Sequence, residues 1–295
     1  MANTNRASLL GKLHKVLRKH FKPIYPAERG ALEQLLFACC LENARYEAAE
    51  EAYAAVSTSF FDWNEVRVST AKELAEVMRI LPDPLAAATR LKQTLQSAFE
   101  ATYAFDLEAM KKQNLGQAVQ RLKKFTGTSS FTVAHVTQAA LGGHAIPLDR
   151  GALDVLFIVG AATEAEVKSS EVTGLERAIP KTKGAEFGSL LHQLGAELVV
   201  GPYSPNVHKI LLEVSSEAKD RLPKRGQKKP EPPPALAKAA PGAAKKAPLV
   251  VEKKKDKEEP KKKPVKAAAA AASPKVKPGV KKKPEPVKLA KRKPR

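Results

Sequence analysis

The chain has 295 residues with 51 Lys and Arg against 31 Asp and Glu, which gives a formal net charge of +20. No segment reaches the roughly 18 consecutive apolar residues that a membrane-spanning helix requires, so we expect no partnership with a membrane. The only two cysteines, Cys39 and Cys40, are adjacent in an apolar run. This placement fits buried thiols in a reducing compartment better than a disulfide framework.

The charge is concentrated at the C-terminal end. Residues 221–295 contain 26 basic residues, 6 acidic residues and no aromatic residue, whereas residues 1–220 are balanced at 25 of each charge. A segment rich in Lys, Ala and Pro with so little apolar surface cannot offset the entropy that is lost on ordering. The sequence therefore predicts a folded domain at 1–220 and a disordered basic tail at 221–295.

The folded part begins with a basic amphipathic helix at 7–20, in which Leu10, Leu13 and Leu17 share one face. We interpret it as the first helix of the domain, with a transit peptide as the alternative. Further helices are predicted at 29–41, 46–56, 70–79, 84–103, 115–125, 131–141, 150–159, 164–179, 184–197 and 205–217. No alternating run rich in Val, Ile and Thr competes with this pattern, so the predicted fold class is all-α.

The stretch from Leu122 to Asp149 reads LKKFTGTSSFTVAHVTQAALGGHAIPLD. A helix ends at Phe125, a turn centred on Gly127 follows, an apolar helix runs to Leu141, and a short loop leads to the aspartate. This arrangement resembles the helix-hairpin-helix and trailing aspartate of the endonuclease III-like DNA glycosylases, the HhH-GPD superfamily. The resemblance implies a helical DNA glycosylase-like domain from the base-excision-repair superfamily, with Gly127 at the first glycine of the hairpin.

In that superfamily the hairpin holds a DNA phosphate with backbone N–H groups and a helix N-terminus, which positions the protein without reading sequence. Ser129 stands where the superfamily has a second glycine, so its backbone must avoid the conformations that only glycine adopts. The alternative is a polar turn in which Ser129 or Ser130 caps the next helix. The DNA-binding candidates are Gly127, Thr128, Ser129, Ser130 and Thr132, with Lys123 and Lys124 beside them.

Two positions bear on catalysis. Phe131 stands where the bifunctional enzymes of the superfamily have a lysine, whose amine attacks the sugar and forms a Schiff base. Phenylalanine has no amine, so lyase chemistry of the lysine type is excluded unless another amine takes its place. Asp149 matches the superfamily's aspartate, which in monofunctional members stabilises positive charge at the sugar or orients water. Because Asp149 also precedes a predicted helix, the alternative is an N-cap without a catalytic role.

Enzymes of this kind also flip the target base out of the helix and fill the gap. Asn43 takes the place of a Gln that the superfamily inserts into the base stack, and Asn43 and Phe131 are therefore candidates for a pocket or wedge; the alternative for each is an ordinary core or surface role. Many members hold an iron–sulfur cluster on four cysteines, which two cysteines cannot supply. The six histidines show no metal-ligand spacing, so we expect neither metal nor cofactor.

The tail resembles the C-terminal tails of linker histones. Lysines displace condensed counterions from phosphates, so we expect it to bind double-stranded DNA with little sequence preference and a steep dependence on salt. RNA is an alternative ligand, and a purely solubilising tail is another. Our leading hypothesis is a DNA-binding protein that has lost catalysis, located in the cytoplasm on the nucleoid, or in the nucleus of a eukaryote. The alternatives are a monofunctional glycosylase that uses Asp149 and a nucleoid-structuring protein that binds through its tail.

Overall fold

The computed structural model describes residues 2–224, and every regular element among them is helical, which confirms the predicted all-α class. The tail predicted from residue 221 lies outside the described residues from residue 225 onward. One element is a 3-10 helix at Glu108–Lys112. In chain order the α-helices are α1 (Ala2–His20), α2 (Ala31–Leu41), α3 (Tyr46–Ser59), α4 (Trp63–Val68), α5 (Ala71–Val77), α6 (Pro84–Thr102), α7 (Leu115–Leu122), α8 (Ser130–Ala139), α9 (Arg150–Val159), α10 (Glu164–Ser169), α11 (Leu175–Ala178), α12 (Lys181–Val200), α13 (Pro205–Val214) and α14 (Ala218–Arg221).

The single helix predicted at 164–179 is wrong. The chain forms α10 and α11 instead, because Ser170 and Gly174 adopt positive φ angles of 56° and 80° that end one helix and precede the other. The prediction also lacks α4, a six-residue helix that begins after the Asp62 N-cap. Helices this short contain too few turns for an apolar period to be recognised. At the other end, α14 runs to Arg221, one residue beyond the predicted boundary of the folded part.

The helices form two packed groups, each with its own apolar core. Helices α2 to α8 surround the first core, and we call them the central lobe. Helix α1 and helices α9 to α14 surround the second core, and we call them the terminal lobe. Leu10, Leu13 and Leu17 are buried in the terminal lobe, which confirms that the basic amphipathic helix is part of the domain. Among the described residues, none of the helices combines the length and apolarity needed to cross a membrane.

The two cysteines lie in the core of the central lobe. Both are free thiols and fully buried. Burial raises the pKa of the Cys39 thiol to about 12 and raises the pKa of Cys40 as well. Because the thiolate is the reactive form of cysteine, both side chains act as packing groups.

A close helix crossing brings together parts of the terminal lobe that are distant in sequence. A Cβ atom on Gly151 would lie 2.4 Å from the carbonyl oxygen of Gly195, and one on Gly195 would lie 2.5 Å from the backbone nitrogen of Ala152. The first turn of α9 therefore rests directly on the backbone of α12. As a consequence Asp149, which precedes α9, lies beside His192 of α12.

Candidate nucleic-acid interface and the buried site beside it

The predicted hairpin is present between α7 and α8, and it packs on α6. Gly127 has a φ of +90°, and a Cβ atom at this position would lie 2.8 Å from the carbonyl oxygen of Arg90 and 2.9 Å from the backbone nitrogen of Thr94. The backbone N–H of Thr126 donates to the Ser97 hydroxyl at 3.0 Å. Positive φ and the close approach both require glycine here, so α6 fixes the shape of the turn.

Ser129 is the N-cap of α8. Its φ of −102° and ψ of 171° are in the extended region, so this position has no need of a glycine. The Ser129 hydroxyl accepts a hydrogen bond from the backbone N–H of Thr132 at 3.1 Å, and the Thr132 hydroxyl accepts one from the backbone N–H of Ser129 at 2.8 Å. This reciprocal capping box satisfies two donors at the helix start.

The hairpin leaves only some of its predicted DNA-binding groups accessible. The Thr128 hydroxyl donates inward, to the carbonyls of Leu122 and Phe125, and Thr132 is fully buried. The backbone N–H groups of Ser129 and Thr132 are used by the capping box. Among the predicted positions, the exposed side chains are those of Ser130, Lys123 and Lys124.

Asp149 is the N-cap of α9, and its side chain is inaccessible to solvent. One carboxylate oxygen, Oδ1, accepts from the backbone N–H of Ala152 at 2.8 Å. The other, Oδ2, accepts from the backbone N–H of Asn43 at 3.3 Å and lies 3.1 Å from Nδ1 of His192. Both oxygens are thus engaged within the protein.

Asn43 completes the same cluster from the central lobe. Its backbone has a φ of +64°, and its side-chain oxygen accepts from the backbone N–H of Arg150 at 3.0 Å. Together with the bond from its own N–H to Asp149, this makes a reciprocal link between the turn after α2 and the start of α9. The Asn43 amide therefore ties the two lobes together, with its oxygen held against α9.

Sequence reasoning did not single out His192, the partner of Asp149; the available signal was a histidine within the apolar run LLHQLGAEL. Its Nε2 donates to the carbonyl oxygen of Ala44 at 2.9 Å. With that proton in place, a lone pair on Nδ1 would face the carboxylate, so the attraction requires a proton on Nδ1 too. The contact lacks the alignment of a hydrogen bond and is mainly ionic.

The mutual attraction governs how this pair ionises. Burial opposes charge on both groups, but the neighbouring His192 cation and the hydrogen bonds to the carboxylate hold the pKa of Asp149 below its usual value. Likewise burial opposes protonation of His192, but the Asp149 carboxylate and the bond to Ala44 raise the pKa of this histidine. Each group therefore favours the charged form of the other, a carboxylate beside an imidazolium.

Phe131 is buried between two histidine rings. Its ring stacks on His192 with centroids 5.7 Å apart and on His135 with centroids 6.1 Å apart. Burial lowers the pKa of His135 to about 3, so that ring is neutral. The cavity next to the stack has a volume of about 40 Å³, room for a few water molecules. Pockets that take small organic ligands measure several hundred Å³.

A larger groove lies on another face of α8. It has a volume of about 710 Å³ and runs between α7, α8 and the segment 170–177, with Lys123 and Ser130 at one end. Neither Asp149 nor Phe131 lines it. The spacious groove is thus separate from the two positions that the sequence analysis connected with catalysis.

Two solved structures share the arrangement of helices. A thermostable thymine-DNA glycosylase matches over 74% of this chain and 99% of its own, with 14% identity and a TM-score of 0.52. Endonuclease III, trapped in a covalent intermediate with DNA, matches over 73% of this chain and 96% of its own, with 16% identity and a TM-score of 0.50. No protein-family model and no curated protein matches the chain. The chain therefore has the helical fold of the endonuclease III-like DNA glycosylases in a divergent form, as Leu122 to Asp149 predicted.

Proposed function

We propose that this protein binds duplex DNA without sequence preference and does not excise bases. The observation that carries the proposal is the close packing around Asp149. Its side chain is inaccessible to solvent and lies against His192, whose ring stacks on Phe131, and the cavity next to this stack has a volume of only about 40 Å³. A glycosylase has to admit a flipped base beside its catalytic groups, which this packing does not allow.

The electrostatics of the pair support the same proposal. A carboxylate that stabilises a developing sugar cation has to present uncompensated negative charge at the reacting carbon. Asp149 already faces the His192 imidazolium at 3.1 Å and accepts two backbone hydrogen bonds. His192 in turn donates Nε2–H to Ala44, so it has no free nitrogen with which to activate water.

The fold and the charge support DNA as the ligand. Endonuclease III, which shares this fold, was trapped in a covalent complex with DNA. In this chain the hairpin presents Lys123, Lys124 and Ser130 at its surface. The segment 221–295 adds a net charge of +20. When its lysines neutralise DNA phosphates, counterions are released from the DNA, and this release supplies affinity. We propose that the hairpin positions the protein while the basic segment provides most of the affinity, without an iron–sulfur cluster or other cofactor.

A binding experiment tests whether the basic segment supplies most of the affinity. The full chain and residues 1–224 are titrated against a labelled duplex over a range of salt concentrations. With about six lysines engaged, the full chain should lose affinity with a slope of log K against log salt of about −5, and residues 1–224 should bind more weakly with a shallower slope. Equal affinities would remove the basic segment from the mechanism, and a preference for RNA over duplex DNA would contradict the proposal.

An excision experiment tests the absence of catalysis. The full chain is incubated with duplexes that contain damaged or mismatched bases, and abasic sites are then cleaved with alkali. We expect no base release above a protein-free control. Release that disappears in Asp149→Asn would instead establish a monofunctional glycosylase that uses this aspartate.

A further inference from the structure

A buried carboxylate lies beneath the hairpin. Glu42 follows the last residue of α2, and its Oε2 accepts a hydrogen bond from the Ser129 hydroxyl at 2.9 Å. Arg90 of α6 approaches the same oxygen with Nε at 3.4 Å and donates from its terminal nitrogen to the carbonyls of Cys39 and Glu42. The side chain of Glu42 is only 14% exposed, so solvent screens its charge poorly.

This carboxylate acts on the end of α8 that faces a DNA phosphate in the proposed function. The start of a helix has a partial positive charge that stabilises an anion nearby, and Ser129, the direct partner of Glu42, is the cap of that helix. Arg90 pairs with this carboxylate at 3.4 Å, and the hydrogen bond from Ser129 makes the carboxylate the end of the ion pair that contacts the cap. The other charged group near Glu42 is Asp149, which is itself paired with His192.

We propose that the carboxylate of Glu42 competes with the DNA phosphate for the positive start of α8, and that it thereby weakens the binding of DNA by the hairpin. This inference rests on the proposed function, because it assumes that the hairpin contacts the DNA backbone. A second anion at the same helix start is repelled by the first, and the low exposure of Glu42 preserves this repulsion at moderate salt.

Glu42→Gln in the full chain tests the inference, because the amide oxygen still accepts from Ser129 while the charge is lost. Titrated against a labelled duplex, it should bind about threefold to tenfold more tightly than the wild type. Glu51→Gln makes the same charge change at an exposed position of α3 and should stay within about twofold, since surface charges act weakly. Glu42→Asp, which alters the packing but keeps the charge, should show no gain. The basic segment contributes equally to all variants and cancels in these ratios.

The pH profile separates competition from a merely structural role. Burial raises the pKa of Glu42, so lowering the pH neutralises the wild-type carboxylate and should bring its affinity toward that of Glu42→Gln. Arg90 keeps its charge over that range, and Asp149 titrates at lower pH because its pKa is held down. A ratio between the two proteins that does not change with pH overturns the inference.

A paired control distinguishes failure of this inference from failure of the proposed function. The double substitution Lys123→Gln and Lys124→Gln reports whether the hairpin touches DNA. If it weakens binding while Glu42→Gln matches Glu51→Gln, the competitor role is refuted and DNA binding by the hairpin stands. If neither substitution changes affinity, binding bypasses the hairpin and both ideas fail. Should Glu42→Gln unfold, the double substitution Glu42→Gln and Arg90→Gln removes both buried charges and should bind more tightly than Arg90→Gln alone; equal affinities would count against the inference.

Discussion

The interaction between Asp149 and His192 makes a quantitative prediction for His192→Ala. The substitution removes the imidazolium and leaves a carboxylate buried at the junction of the two lobes. It also removes the bond from Nε2 to Ala44 and the stack on Phe131. Helix α12 itself tolerates alanine well, so the cost falls on the cluster.

The structure sets the size of the effect. Removing one partner of a buried ion pair costs about 3–5 kcal/mol, because the other charge is left uncompensated. Asp149 keeps its hydrogen bonds from Ala152 and Asn43. The cost of leaving its charge without the imidazolium is therefore at the lower end of this range, about 3 kcal/mol. The lost hydrogen bond and the lost ring stack together add about 1 kcal/mol to the cost of breaking the ion pair. We therefore expect the free energy of unfolding to fall by about 4 kcal/mol.

Urea unfolding of the full chain at neutral pH, followed by far-UV circular dichroism, measures this change. Gln193→Ala is a suitable control on the same helix, since its amide bonds Lys22 and Ser189 at the surface and its loss should cost about 1 kcal/mol or less. A double-mutant cycle with Asp149→Asn should give a coupling of about 2 kcal/mol. A loss below about 1 kcal/mol for His192→Ala, or a coupling near zero, would refute the ion pair as described.

Three further predictions concern pH and glycines. Because the pKa of His192 is raised in the folded protein, its contribution to stability is complete below its pKa in the unfolded chain and is lost as the pH rises through its pKa in the folded protein. Because the pKa of Asp149 is lowered, its contribution is complete above its pKa in the unfolded chain and is lost as the pH falls through its pKa in the folded protein. Urea midpoints should therefore fall on both sides of a plateau, and His192→Ala should lack the alkaline fall. Gly127→Ala should cost about 3 kcal/mol or more in the same assay, whereas Gly142→Ala, at a φ of +63° with open space around it, should cost about 1 kcal/mol; similar losses would contradict the packing of the hairpin on α6. Gly151→Ala should cost at least about 3 kcal/mol through its contact with α12, and a stable variant with unchanged spectra would show that the crossing is looser than described.

Local sequence features were enough to predict much of the fold. Apolar spacing predicted most helices, because residues three and four apart lie on one face. The turn around Gly127 and the acidic residue before α9 were visible because turns and caps depend on a few adjacent residues. The departures from the superfamily at Phe131 and Ser129 could also be seen directly, and so could the concentration of charge in residues 221–295.

Only the tertiary structure decided how these residues are used. Asn43 meets Asp149 from 106 residues away, and Glu42 meets Ser129 from 87 residues away, distances at which no local pattern operates. His192 was overlooked because its role depends on the close crossing of α9 and α12, which Gly151 and Gly195 permit. The sequence by itself determined which groups this protein has, among them a phenylalanine at position 131 and an aspartate at position 149. Packing of the two lobes decided which groups are buried, paired or exposed, because desolvation and Coulomb attraction depend on distances in space and not along the chain.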